Sequence, residues 1–324
     1  MTRQKFFLVK NNGQLPQDNQ WLYMRAMFVL GVGLSKKLLI LMNKLSKKII
    51  DEAIKKNVED ALREDIRKID LSENIIMGKK KACGVLIAKQ SAVLCGSAWF
   101  NKTFSTLNKN IQVKWLFKDG DYFKKGSKLC EIKGPYQDLL KGERVAINFI
   151  QTLSSVATNT HELTALIKNF PTKIYDTRKT IPGLRIAQKY AVLTGGGNNQ
   201  RLGLFDQVLI KENHINAFDN LENLLKQLKK LKLTNKIQIE IENINDLKLA
   251  LAYDVKNILL DNFSIKKIRE AIEINQKKAL LEASGNITKK NIIHYAKTGV
   301  DRISLGTLTK NIKAIDFSVI IHPF

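Results

Sequence analysis

Five of the short apolar runs in the second half of the chain end in charged side chains. Buried parallel strands are almost wholly apolar, so a charged residue that repeatedly ends such a run indicates a functional position. The carboxyl ends of parallel barrel strands meet at one face, where sites are built. These ends hold Arg178 and Lys179, Lys211, Glu240, Asp261, and Glu282 with Ser284, and a sixth run ends at Gly306. Their recurrence predicts one shared site.

Four cations at or near these ends predict a pocket for anions. Arginine binds a carboxylate or phosphate through two parallel N–H groups, whereas lysine supplies a movable point charge. The four cations are Arg178, Lys179, Arg201 and Lys211. Glu240 and Asp261 come from neighbouring strands of the same set. Two carboxylates among cations indicate either a Mg²⁺ site or the stabilisation of a developing positive charge.

Two glycine motifs predict where a phosphate binds. "ASGN" and "LGT" each lead from a strand into a predicted helix, so Gly285 and Gly306 let backbone N–H groups approach a phosphate. The predicted substrates are a phosphorylated sugar and an anionic co-substrate. The glycines of "TGGGNNQRLG" (194–203) instead follow a helical pattern. We interpret them as its C-terminal stop, which leaves Arg201 as the working residue of that stretch.

Strand-like and helical segments alternate from residue 173 onward, which predicts βαβ units and a parallel sheet. The strands are "KIYDTR", "DQVLIKEN", "IQIEIEN", "NILLDN", "ALLEASG" and "DRISLGT". Without a dinucleotide fingerprint, six such units favour a parallel α/β barrel of about six strands over an open sheet. Upstream, short β-type runs around the helical "SAWFNKTFSTL" predict a smaller α+β domain. The fold class is therefore α/β.

The pattern divides the chain into an extension (1–41), an α+β domain (42–150) and the barrel (151–324). A long helical stretch, of one or two helices, bridges the two domains. The apolar part of the extension has its longest uncharged run at residues 26–35, too short for the roughly 20 residues that span a bilayer. We expect the folded protein to begin at Met42. A membrane-associating helix, a targeting segment and sequence upstream of the true start remain open for the extension.

The composition favours anionic partners. The chain has 324 residues, and its hydrophobic content of 44% excludes a disordered chain. Its formal net charge of +24 attracts anions. The lysines fall between apolar residues at helical spacing, which is typical of solvated helix faces, so neither nucleic acid nor a membrane is an expected partner. Cys83, Cys95 and Cys130 lack metal-site spacing and fit a reducing, cytoplasmic location.

The segment "YDTRKTIPGLRIAQKYAVLTGGGNNQRLGLFDQVLIKENHI" closely resembles the quinolinate phosphoribosyltransferases, also called carboxylating nicotinate-nucleotide pyrophosphorylases. The resemblance continues, in order and spacing, through "LREDI", "WLFKDGDYFKKG", "ERVAINFIQTLSSVAT", "IEIEN", "LLDN", "EASGNIT" and "GVDRISLGTLT". It covers roughly residues 50–309. It implies an N-terminal α/β domain joined to a C-terminal α/β barrel, and a homodimer or higher oligomer.

The resemblance also implies an activity. The family transfers phosphoribosyl from phosphoribosyl pyrophosphate to the nitrogen of quinolinate, with Mg²⁺. The product loses CO₂ and becomes nicotinate mononucleotide for de novo NAD biosynthesis, while pyrophosphate is released. Phosphoribosyl pyrophosphate and quinolinate are thus the phosphorylated sugar and the anionic co-substrate.

Motif positions in the resemblance assign roles to single residues. Arg178, Arg201 and Lys211 would bind the carboxylates of quinolinate, with Gln200 beside them. Lys179 would stand between the substrates as a catalytic residue. Glu240 and Asp261 would act at the ribose and hold the metal, directly or through water. The 5′-phosphate loops would contain Ser284, Gly285, Asn286 and Gly306. Arg144 matches an arginine that the family inserts into the neighbouring subunit's pocket; without the resemblance, a surface ion pair with Glu143 would be favoured.

One residue departs from the family, which usually has histidine where this chain has Gln200. Glutamine can hydrogen-bond a carboxylate but carries no charge, so we expect weaker substrate binding or a shifted pH dependence. Three alternatives stay open. The chain could be a paralogue acting on another base, such as nicotinate, or one associated with molybdenum transport. It could be a basic nucleic-acid-binding protein, or a membrane-associated protein anchored by residues 21–42.

Overall fold

Two main β-sheets, with one long helix between them, organise the part of the chain that the computed structural model describes: residues 45–67, 80–234 and 236–324. The predicted extension and the predicted start at Met42 lie outside these residues. No helix in the described ranges is both long enough and apolar enough to cross a bilayer.

The smaller unit is a four-stranded antiparallel sheet. Its order is β12 (Phe317–Pro323), β1 (Lys81–Ala88), β5 (Lys128–Pro135) and β3 (Gln112–Trp115). β2 (Ala92–Val93) and β4 (Tyr122–Phe123) form a separate two-stranded ladder. The sheet covers a core that includes Phe100, Phe104 and Phe123. The predicted helix α2 (Ser97–Leu107) is present, and α1 (Lys47–Ile66) begins where the Ser46 hydroxyl accepts the Ile49 N–H.

The bridging stretch forms one helix, α3 (Tyr136–Leu166), of 31 residues. Leu139, Ala146 and Ile150 belong to the core under the antiparallel sheet. Phe149 and Val156 belong to the second core, which contains residues of the barrel strands and of the helices that pack on them. Because the same helix contributes to both cores, it holds the two units together.

The larger unit contains all six predicted strands in parallel. They are β6 (Lys173–Tyr175), β7 (Val208–Ile210), β8 (Ile237–Ile241), β9 (Asn257–Asp261), β10 (Leu280–Ser284) and β11 (Arg302–Ser304). Their order, β6-β11-β10-β9-β8-β7, is the order of a barrel opened between its first two strands. At that opening Tyr175 of β6 bridges to Asn198 instead.

Helices connect these strands, as the alternating pattern predicts. They are α4 (Arg185–Thr194), α5 (Glu212–Asn216), α6 (Leu221–Lys230), α7 (Ile244–Ala252), α8 (Ile265–Asn275), α9 (Ile292–Ala296) and α10 (Thr307–Lys310). Buried leucines on α6, such as Leu224 and Leu228, face the barrel core. The α/β fold class is confirmed.

The last strand crosses the predicted division of the chain. β12 lies in the predicted barrel segment but pairs with β1 over seven registered positions in the smaller unit. The proposed boundary at residue 150 also falls inside α3. The domain limits therefore stay a prediction. The alternation pattern finds a strand but does not tell which free sheet edge the strand will join.

The glycine run that follows α4 ends the helix, as predicted. Gly196 adopts φ +87°, which suits glycine. Gly195 has a second constraint, since a Cβ there would lie 2.3 Å from the Ala157 carbonyl oxygen in α3. The run therefore ends α4 and also lets the chain pack closely against α3.

Candidate active site

The predicted residues meet at the carboxyl ends of the barrel strands. Ile239, Ile258 and Leu260 belong to the core cluster between sheet and helices. The alternate residues of these strands point to the opposite side, because side chains alternate along a strand. Glu240 and Asp261 occupy such alternate positions near their strand ends, and Lys211 directly follows β7.

Lys211 and Glu240 form an ion pair at this face. The Lys211 Nζ lies 2.9 Å from the Glu240 Oε2, with the side chains 48% and 18% exposed. The backbone N–H of Lys211 donates to the Nδ1 of His214 at the start of α5. The His214 ring thus acts as a cap that fixes the backbone of Lys211.

Asp261 lies in the same electrostatic environment. Burial raises the pKa of its carboxyl, and the nearby Glu240 charge raises the pKa further. Lys211 and Lys179 act in the opposite direction. The Asn262 amide also donates to Asp261 Oδ2 at 2.8 Å. The charges of Glu240, Lys211 and Lys179 therefore all act on Asp261, as expected if these strand ends share one site.

Arginines form the other side of the cluster. Burial lowers the pKa of Arg201, and Arg178 lowers it further. Burial and then Arg185 lower the pKa of Arg178. Both guanidinium groups stay protonated at neutral pH because their ordinary pKa is so high. The Arg178 Nε is buried without a hydrogen-bond partner among the described residues, which is the kind of donor that an anionic oxygen satisfies.

Arg185 was not selected from the sequence, and the structure adds it to this cluster. Its guanidinium donates to the Thr180 hydroxyl at 3.2 Å and to the Leu202 carbonyl at 3.4 Å. It therefore links the loop that carries Arg178 to the loop that carries Arg201. The sequence did carry a signal for Arg185. A positive charge on the first residue of a helix interacts unfavourably with the helix dipole, so its presence there indicates another role.

The loop after β10 has the tight backbone expected of a phosphate site. Gly285 follows Ser284 with φ +91°, and Asn286 follows with φ +53°. The Asn286 amide donates to Asn262 Oδ1 at 3.0 Å, and the Asn262 N–H donates to the Ser284 carbonyl. Asn262 is a second residue that was not selected from the sequence, and its own φ is +55°. The loops after β9 and β10 thus support each other.

Gly285→Ala should damage this loop specifically. A Cβ at Gly285 would lie 2.1 Å from Asn262 Oδ1, and alanine at this φ adds backbone strain of about 1–3 kcal/mol. We expect a lower free energy of unfolding and a higher KM for phosphoribosyl pyrophosphate. Gly299→Ala is the matched control, because Gly299 has φ +84° and open space around its Cα. Equal effects of both variants on that KM would contradict the assignment.

Lys179 and Gly306 lie side by side, in the segments that follow the paired strands β6 and β11. A Cβ on Gly306 would lie 2.9 Å from the Lys179 Cδ, so glycine makes room for the lysine stem. The Thr309 hydroxyl donates to the Lys179 carbonyl at 2.8 Å and fixes the backbone there. Lys179 therefore lies against the second glycine loop.

Gln200 is tied to a carboxylate of the protein itself. Its side-chain amide donates a short hydrogen bond to Glu282 Oε1. Gln238 donates to the other oxygen, Glu282 Oε2, at 2.9 Å. Glu282 is only 1% exposed, so this strand-end residue lies buried beneath the site. The role of Gln200 toward a substrate stays a prediction.

Arg144 stands apart from this cluster. It is exposed on α3, and no ion pair with Glu143 is present within the described ranges. The surface-pair alternative thus has no support in the structure. In the part of the chain that the structure describes, this exposed arginine has no carboxylate partner.

Glu240 and Asp261 fit the limited role that protein carboxylates usually have at Mg²⁺. This ion is commonly held by one or two carboxylates together with substrate phosphates. Among the described residues, no group of three or more His, Cys, Asp or Glu side chains could hold a metal alone. The donor set therefore suits a metal ion that arrives with a phosphorylated substrate.

Comparisons with known proteins agree with this arrangement. The model for the quinolinate phosphoribosyl transferase C-terminal domain matches residues 156–320, and that for the N-terminal domain matches residues 70–154. A probable carboxylating nicotinate-nucleotide pyrophosphorylase of Bacillus subtilis is 38% identical, over 82% of this chain and 92% of its own. A chloroplastic enzyme of Arabidopsis thaliana with the same carboxylating description is 35% identical, over 72% of each chain.

The fold agrees as well. The nicotinate-nucleotide pyrophosphorylase structure from Francisella tularensis superposes with a TM-score of 0.81 at 40% identity, covering 86% of this chain and 98% of the other. The matches extend over both units and include the carboxyl ends of all six barrel strands. The chain belongs to the quinolinate phosphoribosyltransferase family, the carboxylating nicotinate-nucleotide pyrophosphorylases, and has that activity in NAD biosynthesis.

Proposed function

We propose that the cluster at the strand ends performs the transfer with a division of labour between its cations and its carboxylates. The observation that carries this proposal is the mutual proximity of Lys211, Glu240 and Asp261, with Lys179 close enough to Asp261 to lower its pKa. Arg178, Arg201 and Lys211 bind the two carboxylates of quinolinate. Three cations match a dianion better than a monoanion, which favours quinolinate over nicotinate as the base.

The carboxylates act on the sugar. When the bond between the ribose C1 and the pyrophosphate oxygen breaks, positive charge develops on C1 and the ring oxygen. Glu240 and Asp261 stabilise this charge and hold the ribose hydroxyls. The lone pair of the quinolinate nitrogen then forms the new bond to C1. Held in place by its carboxylates, the base needs little reorientation for this attack.

Loss of CO₂ follows from the product of the transfer. The carbon–carboxylate bond next to the new pyridinium breaks, CO₂ leaves, and the electron pair stays on the ring carbon, which then takes up a proton. The positive ring nitrogen stabilises that electron pair. Lys179 stands between the two substrates, where its charge stabilises the departing pyrophosphate and orients the base.

Glu240 and Asp261 would hold Mg²⁺, directly or through water, next to the phosphates that Ser284, Gly285, Asn286 and Gly306 receive. The ion would supply charge neutralisation at the pyrophosphate when bound. Lys211 competes for Glu240 at 2.9 Å, so the substrate carboxylate would need to draw Lys211 away before Glu240 serves the metal. Binding of the base and of the metal would then be linked.

A direct comparison of quinolinate with nicotinate tests this division. With phosphoribosyl pyrophosphate and Mg²⁺ present, quinolinate should give product and nicotinate little or none. Arg201→Ala should raise the KM for quinolinate while the KM for phosphoribosyl pyrophosphate stays unchanged. Equal turnover of both bases would contradict the assignment of three cations to a dianion.

Arg144 completes the site only in a homodimer or higher oligomer. It is exposed on α3 and unpaired with Glu143. We assign it to the carboxylate pocket of a neighbouring subunit. This partner would be a second copy of the chain, and the substrates remain quinolinate and phosphoribosyl pyrophosphate. A cytoplasmic location is likewise our proposal.

Mixing two inactive variants tests the shared site. Arg144→Ala and Lys211→Ala should each be nearly inactive alone. Subunit exchange gives mixed dimers in which one of the two pockets is intact, so mixing should recover about a quarter of wild-type activity. Differently tagged subunits show that exchange has occurred. Unrecovered activity after proven exchange would place Arg144 outside the partner's pocket.

A further inference from the structure

A fully buried ion pair lies beneath the loop that carries Arg201. The Lys189 Nζ of α4 is 2.5 Å from Asp176 Oδ1, and both side chains are 0% exposed. Asp176 follows β6 directly, two residues before Arg178. The family resemblance gave neither residue a role. Buried pairs seldom add net stability over apolar residues of similar volume, so a second reason for this one is worth seeking.

The pair directs its remaining hydrogen bonds at one short segment, residues 198–200. Asp176 Oδ1 accepts the backbone N–H of Gln200 at 2.8 Å, and Asp176 Oδ2 accepts the Asn199 amide at 2.7 Å. Lys189 Nζ donates to the Gln200 carbonyl at 3.0 Å. Both backbone groups of Gln200 are therefore bound to a charged atom, which makes strong, well-aligned bonds.

The segment occupies the opening of the barrel. Asn198 bridges to Tyr175 of β6, and the Asp176 N–H donates to the Asn198 carbonyl at 3.0 Å. The segment thus lies beside β6. Among the described residues, β6 and β7 do not form a ladder with each other, and the segment fills that position. A short extended segment with one strand neighbour has few backbone bonds of its own to hold it. The buried pair supplies what a second neighbouring strand would otherwise give.

We infer that Asp176 and Lys189 are positioning residues that set the backbone of Gln200 and thereby place the Arg201 guanidinium for the substrate carboxylate. The inference rests on the proposed role of Arg201. Arg201 is the residue next to the clamped Gln200, and its Nη1 donates to the Gln207 carbonyl at 3.0 Å on the far side of the loop. A small displacement of a binding group can lower affinity or rate substantially. If the backbone of Gln200 is less firmly held, Arg201 should bind the base more weakly.

The test separates positioning from stability. Lys189→Met alone leaves the Asp176 carboxyl buried without its cation, so it should lower Tm strongly. Adding Asp176→Asn replaces the ionisable carboxyl with a neutral amide and should restore most of the Tm. The double variant should still raise the KM for quinolinate at least about tenfold, with the KM for phosphoribosyl pyrophosphate unchanged. The matched control is Glu222→Gln with Lys226→Met, the same change in an exposed pair of 2.8 Å, which should alter neither KM.

The two KM values of the double variant decide whether the inference holds. A stable double variant with the wild-type KM for quinolinate would overturn the inference, as would equal rises in both KM values. If the double variant does not fold, Asn199→Ala removes one tether of the segment and leaves the pair intact, and the same two outcomes apply. Arg201→Ala distinguishes the two proposals: a wild-type KM for quinolinate in that variant would reject the role of Arg201 itself.

Discussion

Lys179→Ala is expected to lower kcat by about 10²–10³-fold while the protein stays folded. Lys179 is exposed in the loop that follows β6. Its aliphatic stem lies against Gly306, and its charge lowers the pKa of Asp261. It thus stands between Gly306, in a proposed phosphate loop, and the carboxylate of Asp261. Removing it takes away a charge that matters most as pyrophosphate departs, so kcat should fall more than either KM rises.

Two measurements secure this prediction. Thermal unfolding should give nearly the wild-type Tm, because an exposed side chain is being removed. Lys173→Ala is the control, since Lys173 is an exposed lysine at the opposite end of the same strand and should keep full activity. A near-wild-type kcat for Lys179→Ala would remove Lys179 from the catalytic set.

Glu240→Ala should have an effect of similar size, about 10²–10³-fold in kcat, for a different reason. In the proposed mechanism Glu240 is one of the two carboxylates that face the developing positive charge, and it alone pairs with Lys211 among the described residues. Its removal also leaves Lys211 without that partner. The freed lysine can bind the quinolinate carboxylate more readily, so the KM for quinolinate should stay level or fall as kcat collapses.

A control and a second variant sharpen the Glu240 prediction. Glu273→Ala removes an exposed carboxylate from α8 and should leave kcat unchanged. Glu240→Gln keeps the shape but not the charge, so it should resemble Glu240→Ala if charge is what matters. Activity near the wild-type level in Glu240→Gln would show that hydrogen bonding, rather than charge, is the contribution of Glu240.

The strand ends of the barrel could be predicted from the sequence because two independent signals coincide there. Apolar runs such as "NILLD" mark buried strands, and a charged residue at the end of such a run conflicts with burial unless it serves a site. A parallel barrel places the carboxyl ends of its strands on one face, so these residues can be predicted to meet even when the loop structures are unknown. Lys211, Glu240 and Asp261 meet for this reason.

The residues that the sequence did not reveal depend on long-range packing. Lys189 lies in an ordinary helical pattern, and nothing local shows that Asp176 will neutralise it across 13 positions of the chain. Arg185 joins two loops through bonds to Thr180 and Leu202. The pairing of β12 with β1 spans most of the chain. Such partners are chosen by the folded arrangement, so the sequence does not show which groups will meet, even where a residue such as Arg185 stands out at the start of a helix.

The stoichiometry of products tests the central claim most directly. Purified protein is incubated with quinolinate carrying a labelled carboxylate next to the ring nitrogen, phosphoribosyl pyrophosphate and Mg²⁺, and both CO₂ and nicotinate mononucleotide are measured. The site described here should release equal amounts of the two from quinolinate. Glu240→Ala should abolish both together. Phosphoribosyl transfer without CO₂ release, or transfer that proceeds as well to nicotinate, would contradict the account.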